Sequence, residues 1–346
     1  MPYELPPDPS TERRTRITRW AGFAFASVLV ALVTYLAYVG YEGSRQLSDA
    51  PGPSSDCRTP ATLGWEYEAI NYDIGADAAL EAEPDPENCV GRGASAGDGV
   101  AVGNVRLAGW YIPAAAGADP TGPTVVIAHG WGSNKSNMLD RAAIVHDAYN
   151  LLLFDFRNHG QSSAAPTTQG VREAQDLSAM LDWLEREKGP ASIAVLGVSM
   201  GAASALAEAD RDDRVDAIIA ESTHATLANA AQARLDRSGY PLSMPGSWAI
   251  LLGALMRTGE DISAVDPIKS VERLDERPLL LIHGGADDSI GRDDAELLRA
   301  AAEAAGSPTE FHTCAAAGHS QSDQTCAGDY ARWVLGFLQR VLAPAG

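Results

Sequence analysis

The hydropathy pattern breaks first near the N-terminus, where Trp20 to Gly40 is an uncharged run of 21 residues rich in Ala, Val and Leu. As a helix rising 1.5 Å per residue, such a run spans roughly 30 Å, about one bilayer core. Arg13, Arg14, Arg16 and Arg19 precede it, Glu42 is the first charge after it, and Arg45 is the one base close behind. That bias predicts a single-pass anchor in the cell membrane, with the N-terminus inside and the rest of the chain outside. Trp20, Tyr38 and Tyr41 stand where interfacial aromatics belong. The competing reading is a cleaved signal peptide, whose apolar region is normally shorter and closes on a small-x-small site that is missing here.

From about residue 105 the pattern changes to short apolar runs alternating with amphipathic ones. Strands are expected at Val105–Ile112, Thr124–Ala128, Leu151–Phe156, Ile193–Val198, Val215–Ala220, Leu279–His283 and Glu310–Cys314. Helices are expected at 137–149, 171–187, Asp293–Ala305 and Asp329–Leu342, the second from the spacing of Leu177, Met180, Leu181 and Leu184. Short buried strands alternating with helices predict an α/β fold: a mostly parallel twisted sheet with helices on both faces. Its site should lie at the carboxyl ends of the strands. The alternation fails between Ala220 and Pro278, and the apolar Trp248–Met256 stretch there suggests a short helical lid over the site at about 223–267. The chain then divides into a cytoplasmic tail (1–19), a transmembrane anchor (20–41), a stalk with an irregular extension (42–99) and a folded domain (100–346).

Composition narrows the function classes. The 346 residues carry a net charge of −20, and the first 19 contribute almost none of it. So acidic a surface repels nucleic acid and argues against that class of partner. All four cysteines (Cys57, Cys89, Cys314 and Cys326) lie beyond the apolar run, in two local groups. Outside the cytoplasm they should be oxidised, and Cys57–Cys89 with Cys314–Cys326 is the pairing expected among three possible ones. Neither pair has C-x-x-C spacing, which argues against redox or zinc chemistry.

The candidate chemistry centres on Gly197-Val198-Ser199-Met200-Gly201, placed between an apolar run and a run of small residues. A strand, a sharp turn and a helix around one serine lift its hydroxyl out of the backbone, and the glycines relieve crowding across the turn. A serine needs a base, and the base needs a carboxylate to fix its tautomer. Of seven histidines, His319 lies on the loop between the last strand and the last helix, where it can swing over Ser199. His129 and His283 sit in His-Gly pairs that brace turns, and His159 lies on a loop that can line a pocket. Asp287 closes the strand before the one leading to His319, with Asp288 as the neighbouring alternative. Two backbone N–H donors for an oxyanion should come from Met200, at the head of a helix, and from Trp131. Cys314 and Cys326 bracket His319 symmetrically, so their bridge is expected to hold the loop that carries the base.

His129-Gly130-Trp131-Gly132-Ser133-Asn134-Lys135 resembles the oxyanion loop of α/β-hydrolase fold proteins. Asp155-Phe156-Arg157-Asn158-His159-Gly160-Gln161-Ser162 resembles their next loop, usually Asp-x-Arg-Gly-x-Gly-x-Ser, with Asn158 in place of a glycine. Asp266-Pro267-Ile268 with Arg277-Pro278-Leu279 is similar to the approach to the acid strand in serine aminopeptidase-like and prolyl-oligopeptidase-like members. The resemblance covers about residues 105–342. It implies the α/β-hydrolase fold and, together with the anchor read from the apolar run, a membrane-anchored serine hydrolase acting through Ser199, Asp287 and His319, without metal or organic cofactor. An ester, thioester or amide of a small-molecule or acyl/lipid substrate is the expected target. Ester cleavage ranks above peptidase action because no acidic pair for a substrate α-amine is identifiable. A non-catalytic binding protein on the same fold is the rival from another class.

Overall fold

Eight strands build one sheet in the computed structural model, which describes residues 9–49, 56–74, 105–117 and 119–342. Helix α1 (Pro9–Ser48) leads into β1 (Glu68–Ile74), β2 (Val105–Ile112) and β3 (Thr124–Ala128). Helix α2 (Leu139–Val145), β4 (Asn150–Phe154), α3 (Val171–Glu187), β5 (Ile193–Val198), α4 (Met200–Ala209) and β6 (Ala217–Glu221) then alternate. Three helices follow: α5 (Leu227–Arg237), α6 (Ser243–Thr258) and α7 (Pro267–Val271). The chain closes with β7 (Leu279–Gly284), α8 (Arg292–Ala305), β8 (Thr309–Cys314), α9 (Ser322–Thr325) and α10 (Ala327–Val341).

The strand order is β1-β2-β4-β3-β5-β6-β7-β8. Strands β3 to β8 run parallel, while β2 is antiparallel to both β1 and β4. Every residue of β3, β4, β5, β6 and β7 is buried, as continuous apolar runs require of strands covered on both faces. On one face Val126, Leu152, Val195 and Ile218 meet Leu177, Met180, Leu206 and Leu298 of α3, α4 and α8. On the other, Val125, Leu151, Leu196 and Leu280 meet Leu139 of α2 and Tyr330, Val334 and Phe337 of α10. Because β3 to β8 point one way, the residues just beyond their carboxyl ends share a single rim.

Two parts of the N-terminal half depart from expectation. Glu68–Ile74, expected within an irregular extension, is an edge strand paired antiparallel with β2. Its alternating Ile70, Tyr72 and Ile74 meet the core on one side only, so its apolar signal is half that of an inner strand. The expected stalk, from residue 42, is helical to Ser48. Gln169 Nε2 donates to the Leu47 carbonyl at 2.8 Å and the Thr167 amide donates to the Ser48 carbonyl at 3.0 Å, docking the end of α1 on the domain. Among the described residues α1 is the one helix long and apolar enough to cross a membrane, over Arg16–Ser48.

Candidate active site

Ser199 lies between β5 and α4 with φ of +53° and ψ of −116°, a conformation that non-glycine residues rarely adopt. Crowding explains the glycines two residues to either side. A Cβ on Gly197 would sit 2.5 Å from the Gly201 carbonyl oxygen, and one on Gly201 would sit 2.3 Å from that of Ala128. Gly201 thus serves the approach of α4 to the end of β3 as well as the turn itself.

Two hydrogen bonds bring Ser199, His319 and Asp287 together. His319 Nε2 lies 3.0 Å from Ser199 Oγ, and His319 Nδ1 lies 2.8 Å from Asp287 Oδ2. The Asp287 carboxylate is removed from solvent, and burial raises its pKa. The bond from His319, the imidazole's electrostatic attraction and the amides of Ile290 and Ser289 outweigh that burial and hold the pKa below the ordinary carboxylate value. Asp288, the neighbouring alternative, is exposed. An ionised carboxylate on Nδ1–H leaves Nε2 free to accept the serine proton, the arrangement that makes a hydroxyl nucleophilic.

Met200 opens α4, where an amide has no intrahelical acceptor and the helix dipole favours negative charge. Trp131 lines the same pocket as Ser199 and is 37% exposed. Its loop is held from behind by histidines. His129 Nε2 accepts from the Phe156 amide at 3.0 Å, so its Nδ1–H donates to the Gly130 carbonyl at 2.8 Å. Burial lowers the His129 pKa to about 3, keeping the ring neutral. His159 is buried, not pocket-lining as expected. Its Nε2 accepts from the Gly132 amide at 3.2 Å, which fixes the loop's backbone. His283 Nε2 donates to the Ile290 carbonyl at 3.1 Å and closes the loop that carries Asp287.

Buried ion pairs secure the surrounding loops. Lys135 pairs with Asp155, and Arg157 makes a two-pronged contact with Asp176. Arg141 binds Glu221 through two bonds of 2.9 Å and also donates to the Ser320 carbonyl beside His319 at 2.9 Å. Cys314 and Cys326 are bonded with their Cα atoms 6.0 Å apart, so a bridge closes the loop bearing His319. The Cys57–Cys89 pairing involves a residue outside the described ones.

A pocket of about 350 Å³ opens at Ser199. Its walls include Asp56, Arg58, Trp131, Asp140, Arg141 and His319, and no residue of 223–267 contributes, so the expected lid does not roof it. Instead Arg58 reaches across from the N-terminal segment, binding Asp140 at 2.7 Å and Asp56 at 2.8 Å. The 223–267 segment has its long helix α6 packed on α1. Sequence spacing could not foresee Arg58 at the pocket, because its partner Asp140 lies 82 residues away.

Comparisons with known proteins give the chain its relatives. The family model described as "alpha/beta hydrolase fold" matches residues 123–258. The Escherichia coli K12 protein "Uncharacterized protein YfhR" is 31% identical over 235 residues, 66% of this chain and 74% of that protein. "Uncharacterized protein Rv2307c" of Mycobacterium tuberculosis is 30% identical over 222 residues, 63% of this chain and 70% of its own length. Among solved structures, the Pyrococcus furiosus esterase Pf2001 superposes with a TM-score of 0.64 at 23% identity, covering 86% of this chain and 99% of that one. The Pyrococcus horikoshii acylaminoacyl peptidase superposes at 0.57 and 14% identity, covering 82% of this chain and 42% of that one.

Proposed function

Because the chain belongs to the α/β hydrolase fold family, we propose that it is a serine hydrolase cleaving esters, anchored in the membrane by α1 with its hydrolase domain outside. The observation that carries the reading is the continuous Ser199–His319–Asp287 hydrogen-bond chain at a strained strand-to-helix turn. Ser199 Oγ attacks the substrate carbonyl carbon while His319 Nε2 takes its proton. The developing oxyanion meets the Met200 and Trp131 amides. Collapse expels the alcohol, which His319 protonates, and leaves an acyl-serine. Water, deprotonated by His319, then attacks the acyl-serine, releasing the acid and restoring Ser199.

The pocket walls favour an ester over a peptide with a free amino terminus. Asp56 and Asp140 are its carboxylates, and both are engaged by Arg58, leaving no acidic pair for an ammonium group. The same charged walls favour a small or polar group beside Ser199 over a long acyl chain.

A fluorophosphonate probe should label the wild type and not Ser199→Ala, and that substitution should lower turnover of short p-nitrophenyl esters by about 10⁴-fold or more. Undiminished labelling of the variant would overturn the assignment. Faster cleavage of aminoacyl amides than of any ester would turn the reading to a peptidase. A folded wild type inert to the probe and to both substrate classes would leave a binding protein.

A further inference from the structure

Gly239 to Met256 contains no charged residue and lies between Arg237 and Arg257. It comprises the end of the α5–α6 connection and most of α6. One side of α6 packs on α1 with backbones in near contact: a Cβ on Gly40 would lie 2.6 Å from the Ala249 carbonyl oxygen, and one on Gly253 would lie 2.6 Å from that of Gly40. The other side is bare. Met244 is 57% exposed, Trp248 62%, Leu252 57% and Met256 80%. Trp248, Leu252 and Met256 join Val33, Leu36 and Tyr41 of α1 in lining an open apolar groove of about 760 Å³. A continuous apolar surface shared by two helices marks an interaction site.

The register between the helices sets its depth. Tyr35 Oη donates to the Pro241 carbonyl at 2.5 Å, Gly43 meets Ile250, Ser44 meets Gly253, and Arg257 lies 5.2 Å from the Tyr41 ring centroid. The two helices therefore run the same way, and α6 starts beside Tyr35, six residues before Tyr41. At 1.5 Å per residue, its start lies about 10 Å below Glu42 along α1, while its end passes Ser44 towards Asp49, which Arg257 approaches at 4.0 Å.

We propose that Gly239–Met256 is embedded in the outer leaflet beside α1, with the acyl chains of bilayer lipids covering its bare face. The proposal rests on the reading of α1 as a membrane span. Glu42 then marks the edge of the hydrocarbon region, Arg257 lies level with the headgroups, and the Tyr240–Met244 turn reaches the depth that interfacial helices occupy. Continuity argues for lipid over a second copy of the chain, because the groove shares its wall with a helix whose Phe23–Val33 surface is itself bare. The turn also suits hydrocarbon: Pro241 and Pro245 carry no N–H at the helix start, where amides otherwise go unpaired.

The test uses the full chain in phosphatidylcholine vesicles, with one cysteine introduced at a time, labelled with bimane, and each variant matched to the wild type in thermal unfolding. Met244→Cys and Trp248→Cys report on the face, Val28→Cys on the centre of α1, and Glu276→Cys on the opposite rim of the sheet. Labels at 244, 248 and 28 should each lose roughly half or more of their fluorescence to doxyl groups on lipid acyl chains, while the label at 276 responds to aqueous iodide alone. Quenching at 28 by doxyl, with 244 and 248 quenched by iodide, would overturn the proposal while leaving the anchor intact. Labels at 244 and 248 insensitive to both quenchers would also overturn it, in favour of a second copy covering the face. A label at 28 untouched by doxyl would overturn the anchor, and the proposal with it.

Discussion

Asn158 occupies a left-handed conformation, with φ of +65°, at the position where the resembling family usually has glycine. Asparagine tolerates this region better than most residues, and here its Nδ2 lies within 3.3 Å of Thr167 Oγ1. Asn158→Gly should therefore change stability little, while Asn158→Val should cost roughly 1–3 kcal/mol, measured by urea unfolding. Equal stabilities of the two variants would refute the argument. At this scale the sequence is most legible where a residue ends a buried strand. Ser199 and Asp287 each come just after one, His319 follows the half-buried β8, and parallel strands deliver their carboxyl-end loops to one rim. His159 is harder to place. Its bond to the Gly132 amide depends on the conformations of two loops, and no periodicity encodes those. Arg58 and its partner Asp140 are 82 residues apart, joined by a fold rather than by a pattern.

Elements are legible in proportion to their burial. Strand β5 and helix α3 match their expected spans, Ile193–Val198 and Val171–Glu187, because apolar runs and 3.6-residue spacing are strongest where both faces or one broad face are covered. The 137–149 helix is shorter, a 3₁₀ turn at Lys135–Met138 followed by α2. Asn134 caps that turn by accepting from the Asn137 amide, a local bond that fixes where the helix begins. The Cys314–Cys326 bridge belongs to this scale because it closes the connection between β8 and α10. Replacing both cysteines by serine should lower stability by about 3 kcal/mol in the chain-entropy account. It should also lower kcat more than it changes KM, since the loop it frees carries His319. Unchanged thermal stability and unchanged kcat after reduction would refute that role.

At the scale of the molecule, buried neutral histidines dominate the response to acid. Burial lowers the pKa of His129 to about 3 and that of His224 to about 4, and it lowers His159 and His283 as well. In the unfolded chain a histidine titrates near pH 6.5, so between that pH and about 4 the unfolded state binds protons that the folded state refuses. Stability is therefore lost as pH falls through this window, by about 1.4 kcal/mol per pH unit for each histidine kept neutral, less the opposing contribution of Asp176, whose pKa burial raises to about 6. Below it, the depressed carboxyls of Asp155 and Asp287 extend the loss as they take up protons. Urea midpoints of the full chain in detergent, measured from pH 7 to 4, should fall throughout, and a flat profile would contradict the account.

The docking of α1 has a mechanical consequence. Bonds at Leu47 and Ser48 and the packing against α6 leave no swivel between helix and domain, so the two move as one lever. A spanning helix tilts to match the thickness of its bilayer, and if α1 is the proposed anchor that tilt turns the rim bearing Ser199 with it. In a thicker membrane an anchoring α1 would stand more upright and change the angle at which the Ser199 pocket meets the surface. Lipid composition would thereby become a setting for the domain's attitude, with no effector bound and no residue modified.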